Sequence, residues 1–227
     1  MPRRNRLVIP SLPHHVTHRG IRRSDTFCDD DDRKLYLALL NHYHDVHHLK
    51  IWAYALMRNH IHLIAVPESR EALANSIRDV HGKYASRFNR KYEFTGHVWE
   101  ARFYSTPLDE DHLWAAVRYV ERNPVRANLV ERSEDYRWSS APTHVYGTED
   151  SLIDRTIPLI EEISDWSAWL EDEGDPAHVR SIRKATSAGQ PCGSDRFIKK
   201  LEAQLGRSIQ PQPRGPKQKH LATGFKV

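Results

Sequence analysis

The chain has 227 residues, of which 39% are hydrophobic and 28% are charged. No apolar run approaches the roughly 20 residues that a membrane-spanning helix needs. The 21 aromatic side chains (6 Trp, 9 Tyr and 6 Phe) are too many for a disordered chain. The two cysteines, Cys28 and Cys192, form no disulfide framework, and the basic N-terminus lacks the apolar stretch of a signal peptide. We therefore expect a cytoplasmic protein without a membrane partner.

Charge is unevenly distributed along the chain. The 34 lysines and arginines exceed the 30 aspartates and glutamates by only four. Residues 149–175, however, hold ten acidic residues and one arginine, a charge of −9, so the remainder carries +13 from 33 bases and 20 acids. Such a basic excess is typical of proteins that bind nucleic acid, although a solvated basic surface gives the same count.

In chain order, the apolar pattern predicts an α+β protein with the element order β-α-β-β-α-β-α. An extended segment at 8–17 is followed by a helix from 29 to about 48, strands at 50–57 and 60–66, a helix at 71–91, a strand or hairpin at 94–104, and a helix at 109–120. Only Arg58 and Asn59 separate the two central strands, which predicts a β-hairpin and an antiparallel sheet. A hairpin between two helices indicates a sandwich of the split βαβ type.

The composition changes near residue 145, where we place a domain boundary. We predict a main domain at 1–145, an acidic and partly helical C-terminal extension at 146–205, and a basic flexible tail at 206–227. The tail contains five basic residues, no acidic residue and several prolines.

Two histidines offer a candidate metal site. At the start of the strand predicted at 60–66, alternation places His60 and His62 on the same face. Two adjacent imidazoles can bind a divalent metal, but they are equally compatible with ordinary surface or core histidines. A metal would need a further ligand from elsewhere in the chain.

Tyr119 and Asn123 lie four residues apart, on one face of the third predicted helix if that helix persists to residue 123 despite Pro124. A tyrosine can form a covalent ester with a phosphoryl group, and an asparagine oxygen can bind a metal. Alternatively, Tyr119 is a core aromatic and Asn123 simply ends the helix before proline.

These residues fall within a pattern that resembles the REP-associated branch of the single-tyrosine, IS200-like transposases. His60-Ile61-His62 resembles their histidine–hydrophobic–histidine (HUH) motif, and the segment at 119–127, Tyr-Val-Glu-Arg-Asn-Pro-Val-Arg-Ala, resembles their tyrosine-helix motif. Further similar stretches lie at 15–20, 57–60, 96–103, 138–140 and 193–198. The resemblance covers residues 8–140 and extends more weakly to about 208. Asn128 stands where these relatives often have glycine, which we expect to affect only the helix exit.

The resemblance implies a ferredoxin-like core and metal-dependent cleavage and joining of single-stranded DNA. His60, His62 and Asn123 would bind Mg²⁺ or Mn²⁺, and Tyr119 would form a 5′-phosphotyrosine intermediate. The substrate would be a hairpin of the repetitive extragenic palindrome type with a single-stranded flank, and the protein would act as a monomer or a homodimer.

The alternative is a DNA-hairpin-binding protein that has kept the fold and lost catalysis. A two-histidine phosphoesterase, prompted by His15-Val16-Thr17, would need a second motif that the chain does not supply.

Basic residues near these motifs are candidate DNA contacts. They are Arg19, Arg22, Arg23, Arg78, Lys83, Arg87, Arg102 and Arg126. The aromatic rings of Trp99 and Phe103, beside Arg102, either stack on unpaired bases or belong to the core. The acidic segment 149–175 is a spacer or a lid that competes with DNA. We expect deletion of the tail 206–227 to change DNA binding or activity.

Overall fold

Four strands form one antiparallel sheet, and helices cover both of its faces. The computed structural model describes residues 6–158 and 163–209. The strands are β1 (His14–Arg19), β2 (Leu49–Met57), β3 (His60–Pro67) and β4 (Tyr104–Pro107), in the spatial order β2-β3-β1-β4. Because β1 lies between β3 and β4, each half of the βαββαβ order contributes one inner strand and one edge strand. The predicted α+β, ferredoxin-like split βαβ sandwich is confirmed.

Two long helices cover the first face of the sheet. They are α1 (Asp30–Val46) and α2 (Ala72–Tyr92), close to their predicted bounds. Asp29 caps α1 by accepting the backbone N–H of Asp32, whose side chain accepts the N–H of Asp29 in return. The buried side chains of these helices pack on alternate residues of the strands and form one core cluster, which includes Tyr36, Leu40, Ile77, Val80 and Tyr84 with Val16, Ile61 and Leu63.

The opposite face is covered by the C-terminal half of the described chain. Its helices are α3 (Glu110–Glu121), the single turn α4 (Asn123–Arg126), α5 (Ala141–Tyr146), α6 (Trp166–Glu171), α7 (Pro176–Ala188) and α8 (Asp195–Leu205). A second core cluster joins α3, α6 and α7 to this face, and it includes Ala55, Ile64, Leu113, Val117, Val120, Trp166 and Ile182. The helix that carries Tyr119 is therefore packed between the sheet and the C-terminal extension.

The predicted strand or hairpin at 94–104 is wrong over most of its length. This segment is a loop that pairs with the sheet only at the Gly20–Trp99 bridge, and β4 begins at Tyr104. The reason is that the side chains of Trp99 and Phe103 are both buried, each with 8% exposure, so the backbone bends to insert them into the core. These rings are core residues and are not exposed for stacking on DNA bases.

Asn128 lies at the exit from α4. This residue has a φ of +53°, in the left-handed region that favours glycine and tolerates asparagine.

The division of the chain at residues 145 and 205 remains a prediction. Most of the predicted tail, residues 210–227, lies outside the described residues. Within the described ranges, no helix is long and apolar enough to cross a membrane.

Candidate active site

His60 and His62 lie side by side on β3, on the face that α3 covers. Their ring centroids are 5.0 Å apart, whereas Ile61 between them is buried in the core beneath α1 and α2. The neighbouring strand β1 pairs Thr17 with His62 and Arg19 with His60. The polar edge of the site is therefore built from two adjacent strands, with the side-chain alternation that the sequence predicts.

Each of these two rings is oriented through its Nδ1 atom. Nδ1 of His62 is 2.9 Å from Nε2 of His15, and Nδ1 of His60 is 2.7 Å from Oδ1 of Asn59. Both rings are thus left with Nε2 for another ligand, as in metal sites where a second group fixes the tautomer of the ligating histidine.

Burial keeps both imidazoles uncharged near neutral pH. Burial, followed by the positive charges of Arg19 and Arg126, lowers the pKa of His60 to about 4. Burial and the neighbouring His15 hold the pKa of His62 well below its ordinary value. A neutral imidazole offers a lone pair to a metal, so the environment favours the state that a ligand requires.

A buried chain of hydrogen bonds extends the site into α7. His15 is within 2.9 Å of His62 through Nε2 and within 2.9 Å of Oγ1 of Thr186 through Nδ1. If Nε2 of His62 is unprotonated, its Nδ1 donates to His15, and Nδ1 of His15 donates to Thr186. Burial lowers the pKa of His15 to about 3, which keeps this ring neutral as well.

Tyr119 faces the histidines from α3. Its ring meets His62 edge-on at 5.5 Å between centroids and meets His15 at 5.8 Å. The guanidinium of Arg126 lies 4.6 Å from the ring centroid, and Nε of Arg183 donates a hydrogen bond of 3.4 Å to the phenolic oxygen. A candidate nucleophile is thus held between two imidazoles and two cations.

Asn123 adjoins Tyr119 although the two residues do not belong to one continuous helix. The helix α3 ends at Glu121, and Asn123 begins α4. Its Nδ2 donates to the backbone oxygen of Tyr119 at 2.9 Å and to that of Val120 at 3.4 Å. This side-chain donor stands where Pro124, four residues after Val120, has no N–H to donate. With the amide nitrogen occupied, the amide oxygen is the end that remains for a cation.

One cleft of about 400 Å³ unites these groups. Of the twelve site residues predicted from the sequence, six line it, and these are Arg19, His60, His62, Tyr119, Asn123 and Arg126. The described ranges contain no group of three or more His, Cys, Asp or Glu side chains placed to hold a metal. The third candidate ligand here is instead an amide.

The other predicted DNA contacts lie outside the cleft. Arg22 and Arg23 are exposed in the turn after β1, where Nδ2 of Asn59 bonds the backbone oxygen of Arg23 at 3.0 Å, beside the site. Arg102 is exposed in the loop before β4. Three residues lie on the exposed side of α2, across the sheet from the cleft, namely Arg78, Lys83 and Arg87. Arg78 is also paired with Asp79 at 2.8 Å.

Six residues that line the cleft are absent from the sequence-based set, and three of them, His15, Arg183 and Thr186, have side chains that hydrogen-bond within the site. His15 could have been found by strand alternation, because it lies two residues before Thr17 on the same face as His62. Arg183 and Thr186 come from α7, more than 60 residues after Tyr119, and no periodicity or motif in the sequence connects them with it.

Comparisons with known proteins identify the family of the chain and its fold. The family model described as IS200-like transposase matches residues 9–123, just over half of the chain. A solved structure of a REP-associated tyrosine transposase bound to a REP hairpin has a similar fold, with a TM-score of 0.54, 20% identity, and coverage of 69% of this chain and 99% of that chain. A protein from Deinococcus radiodurans R1, described as a candidate transposase, has a TM-score of 0.38 and 16% identity, and the match covers 53% of this chain and 96% of that one. No curated protein matches.

The region that the family model matches contains all four strands, the whole of α3 and Asn123. It thus includes the strand that presents His60 and His62 and the helix that presents Tyr119. The chain belongs to the IS200-like transposase family, whose members cleave and join DNA.

Proposed function

We propose that this protein cleaves and rejoins single-stranded DNA beside a hairpin, as a member of the REP-associated branch, with Tyr119 as the nucleophile. The observation that carries the proposal is the meeting of Tyr119, the His60–His62 pair and Asn123 in one cleft. Arg19 and Arg126 line the same cleft and supply positive charge for a phosphate.

The donor set fits a divalent metal. His60 and His62 each keep Nε2 available and are neutral near pH 7, and the amide of Asn123 keeps its oxygen available. Imidazole ligands suit Mn²⁺ better than Mg²⁺, which prefers oxygen ligands. A bound metal would polarise the scissile phosphate and offset the negative charge that develops on it.

The side chains of the cleft have separate roles in cleavage: one attacks the phosphate and others bind it. The Tyr119 hydroxyl gives its proton to solvent and its oxygen forms a bond to phosphorus, while the bond from phosphorus to the 3′ oxygen breaks. The leaving oxygen takes the electron pair and a proton, which yields a 5′-phosphotyrosine and a free 3′-hydroxyl. Arg126, over the Tyr119 ring, and Arg19, next to His60 across the strands, hold the phosphate in place.

Joining is the reverse of this step. A 3′-hydroxyl attacks the phosphotyrosine, the bond between phosphorus and the Tyr119 oxygen breaks, and the tyrosine recovers a proton. The number of phosphoester bonds does not change, so no external energy source is needed. The hairpin substrate is proposed from the solved relative of similar fold that is bound to a REP hairpin.

Covalent capture of DNA tests the proposal. The protein is incubated with Mn²⁺ and a pool of hairpin oligonucleotides that carry randomised single-stranded flanks, labelled at either the 3′ or the 5′ end. We expect a denaturation-resistant adduct with the 3′-labelled DNA only, because the tyrosine keeps the fragment with the 5′ phosphate.

Two variants make this result specific. Tyr119→Phe should abolish the adduct, whereas Tyr104→Phe, which alters an exposed tyrosine of β4, should leave it unchanged. Tight hairpin binding without any adduct would support the catalytically silent binder instead.

A further inference from the structure

The helix α7 brings a cation into the cleft from outside the part of the chain that the family model matches. Ile182 and Ala185 anchor α7 in the core that also contains Val117 and Val120 of α3. Arg183, between these anchors, is exposed and lines the cleft with Tyr119. The core packing of α7 therefore fixes the position from which this guanidinium reaches the site.

The arginines around α3 differ in their partners. Those that face the acidic segment pair with carboxylates, whereas those in the cleft do not. On the side of the acidic segment, Arg118 pairs with Asp172 and Arg122 pairs with Glu173, each at 3.4 Å. In the cleft, the side chains of Arg19, Arg126 and Arg183 have no carboxylate within 4.0 Å among residues 6–158 and 163–209. Three unpaired guanidiniums at one concave site attract an anion with several acceptor oxygens, such as a phosphodiester.

Arg183 also contacts the reacting atom itself. Its Nε donates to the phenolic oxygen of Tyr119 at 3.4 Å, and its Cζ is 5.4 Å from the centroid of that ring. A guanidinium has five N–H donors in a planar fork, and only this one is used by the described residues. The Nη groups are thus left for a ligand next to the nucleophile.

We propose that Arg183 is a catalytic residue that binds a non-bridging oxygen of the scissile phosphate while Nε holds the Tyr119 oxygen in position for attack. The inference rests on the proposed function. As the bond between Tyr119 and phosphorus forms and the bond to the 3′ oxygen breaks, negative charge grows on the non-bridging oxygens. The guanidinium stabilises that charge.

The rate of adduct formation tests the catalytic role. Arg183→Ala should slow the formation of the 3′-labelled adduct by about 10²-fold, as for the loss of one charge-stabilising donor. Arg183→Lys should recover part of this loss, because it keeps the charge but not the fork. The matched control is Arg180→Ala, which removes an exposed arginine one turn earlier on α7 and should leave the rate unchanged.

Equilibrium binding tests the phosphate contact without catalysis. In a Tyr119→Phe background, fluorescence anisotropy with a labelled single-stranded oligonucleotide should give a Kd about tenfold higher for Arg183→Ala. The slope of log K against log salt should fall by about 1 in magnitude. Arg180→Ala in the same background should change neither quantity by this much.

The two measurements separate the two proposals. If Arg183→Ala forms adduct as fast as Arg180→Ala, Arg183 is not catalytic, whereas the nuclease proposal stands. If no protein forms adduct but Arg183→Ala alone weakens binding, the nuclease proposal fails and the phosphate contact stands. Equal binding by both variants overturns the phosphate contact. Because Arg183 is exposed and has no carboxylate partner among the described residues, its substitution should change the unfolding temperature little, and measuring that temperature for each variant excludes misfolding as the cause of any loss.

Discussion

At the scale of single residues, the orientation of His62 depends on a neighbour that the HUH motif does not contain. His15 is buried, with 2% exposure, between His62 and Thr186 and hydrogen-bonds to both. Such groups behind a metal ligand fix its tautomer and raise its basicity. The motif predicts the ligands, but the partner that orients one of these candidate ligands lies on another strand.

We predict that His15→Phe lowers Mn²⁺ affinity by about 10- to 100-fold, because His62 loses the acceptor that fixes its tautomer. Electron paramagnetic resonance of free Mn²⁺ during a titration measures this change. The control is His14→Phe, since His14 is also buried on β1 but hydrogen-bonds to Ile9 and Leu12 instead. Equal Mn²⁺ affinities for the two variants would contradict the orienting role.

At the scale of elements, a buried carboxylate ties the tyrosine helix to the C-terminal extension. Glu121, the last residue of α3, is fully buried. It accepts hydrogen bonds from Ser140, from Nδ1 of His144 at 2.6 Å and from Nε1 of Trp166 at 2.8 Å. These partners precede or belong to α5 and α6, so one side chain joins three helical segments next to Asn123.

We predict that Glu121→Ala lowers the free energy of unfolding by about 3 kcal/mol, because three buried donors lose their shared acceptor. Glu121→Gln keeps the size of the side chain and should cost less. Urea denaturation followed by tryptophan fluorescence measures both. Glu131→Ala, at an exposed position in the segment after α4, should change the midpoint little. Matching midpoints for Glu121→Ala and Glu131→Ala would count against the anchoring role.

Comparison of the predicted and observed elements shows which of them can be predicted from local residue spacing. Periodicity predicts α1, α2 and the β2–β3 hairpin because their buried faces repeat at regular spacing. It misplaces β4, because the buried rings of Trp99 and Phe103 sit in an irregular loop whose path is set by the core around His18 and His81. The spacing of buried aromatic residues in this loop therefore resembles that of a strand, although the backbone is not extended.

At the scale of the whole molecule, the protein buries several histidines in the neutral state. A second pair lies across the sheet from the cleft, where Nδ1 of His18 is 2.9 Å from Nδ1 of His81, and His81 is 2.9 Å from the hydroxyl of Tyr36. Burial lowers the pKa of both histidines. It also lowers the pKa of His14 to about 4 and that of His15 to about 3.

We predict that the protein loses stability as the pH falls from about 6.5 towards 4. The unfolded chain protonates these histidines near their ordinary pKa of about 6.5, whereas the folded chain resists protonation, so acid favours unfolding. At pH 5 each fully buried histidine should cost about 1–2 kcal/mol relative to pH 7.5. Urea midpoints at the two pH values measure this effect, and a midpoint independent of pH would refute it.

The sequence by itself determined the order of elements, the shared face of His60 and His62, and the residues that resemble the tyrosine motif. These depend on spacing along one strand or one helix, which local backbone geometry fixes. Only the tertiary structure decided which residues meet in the cleft. It brought in His15 from the adjacent strand and Arg183 and Thr186 from α7, and it left Arg78, Lys83 and Arg87 across the sheet. Contacts of this kind depend on how the second core packs α3 against α7, and the spacing of residues along the chain carries no record of that packing.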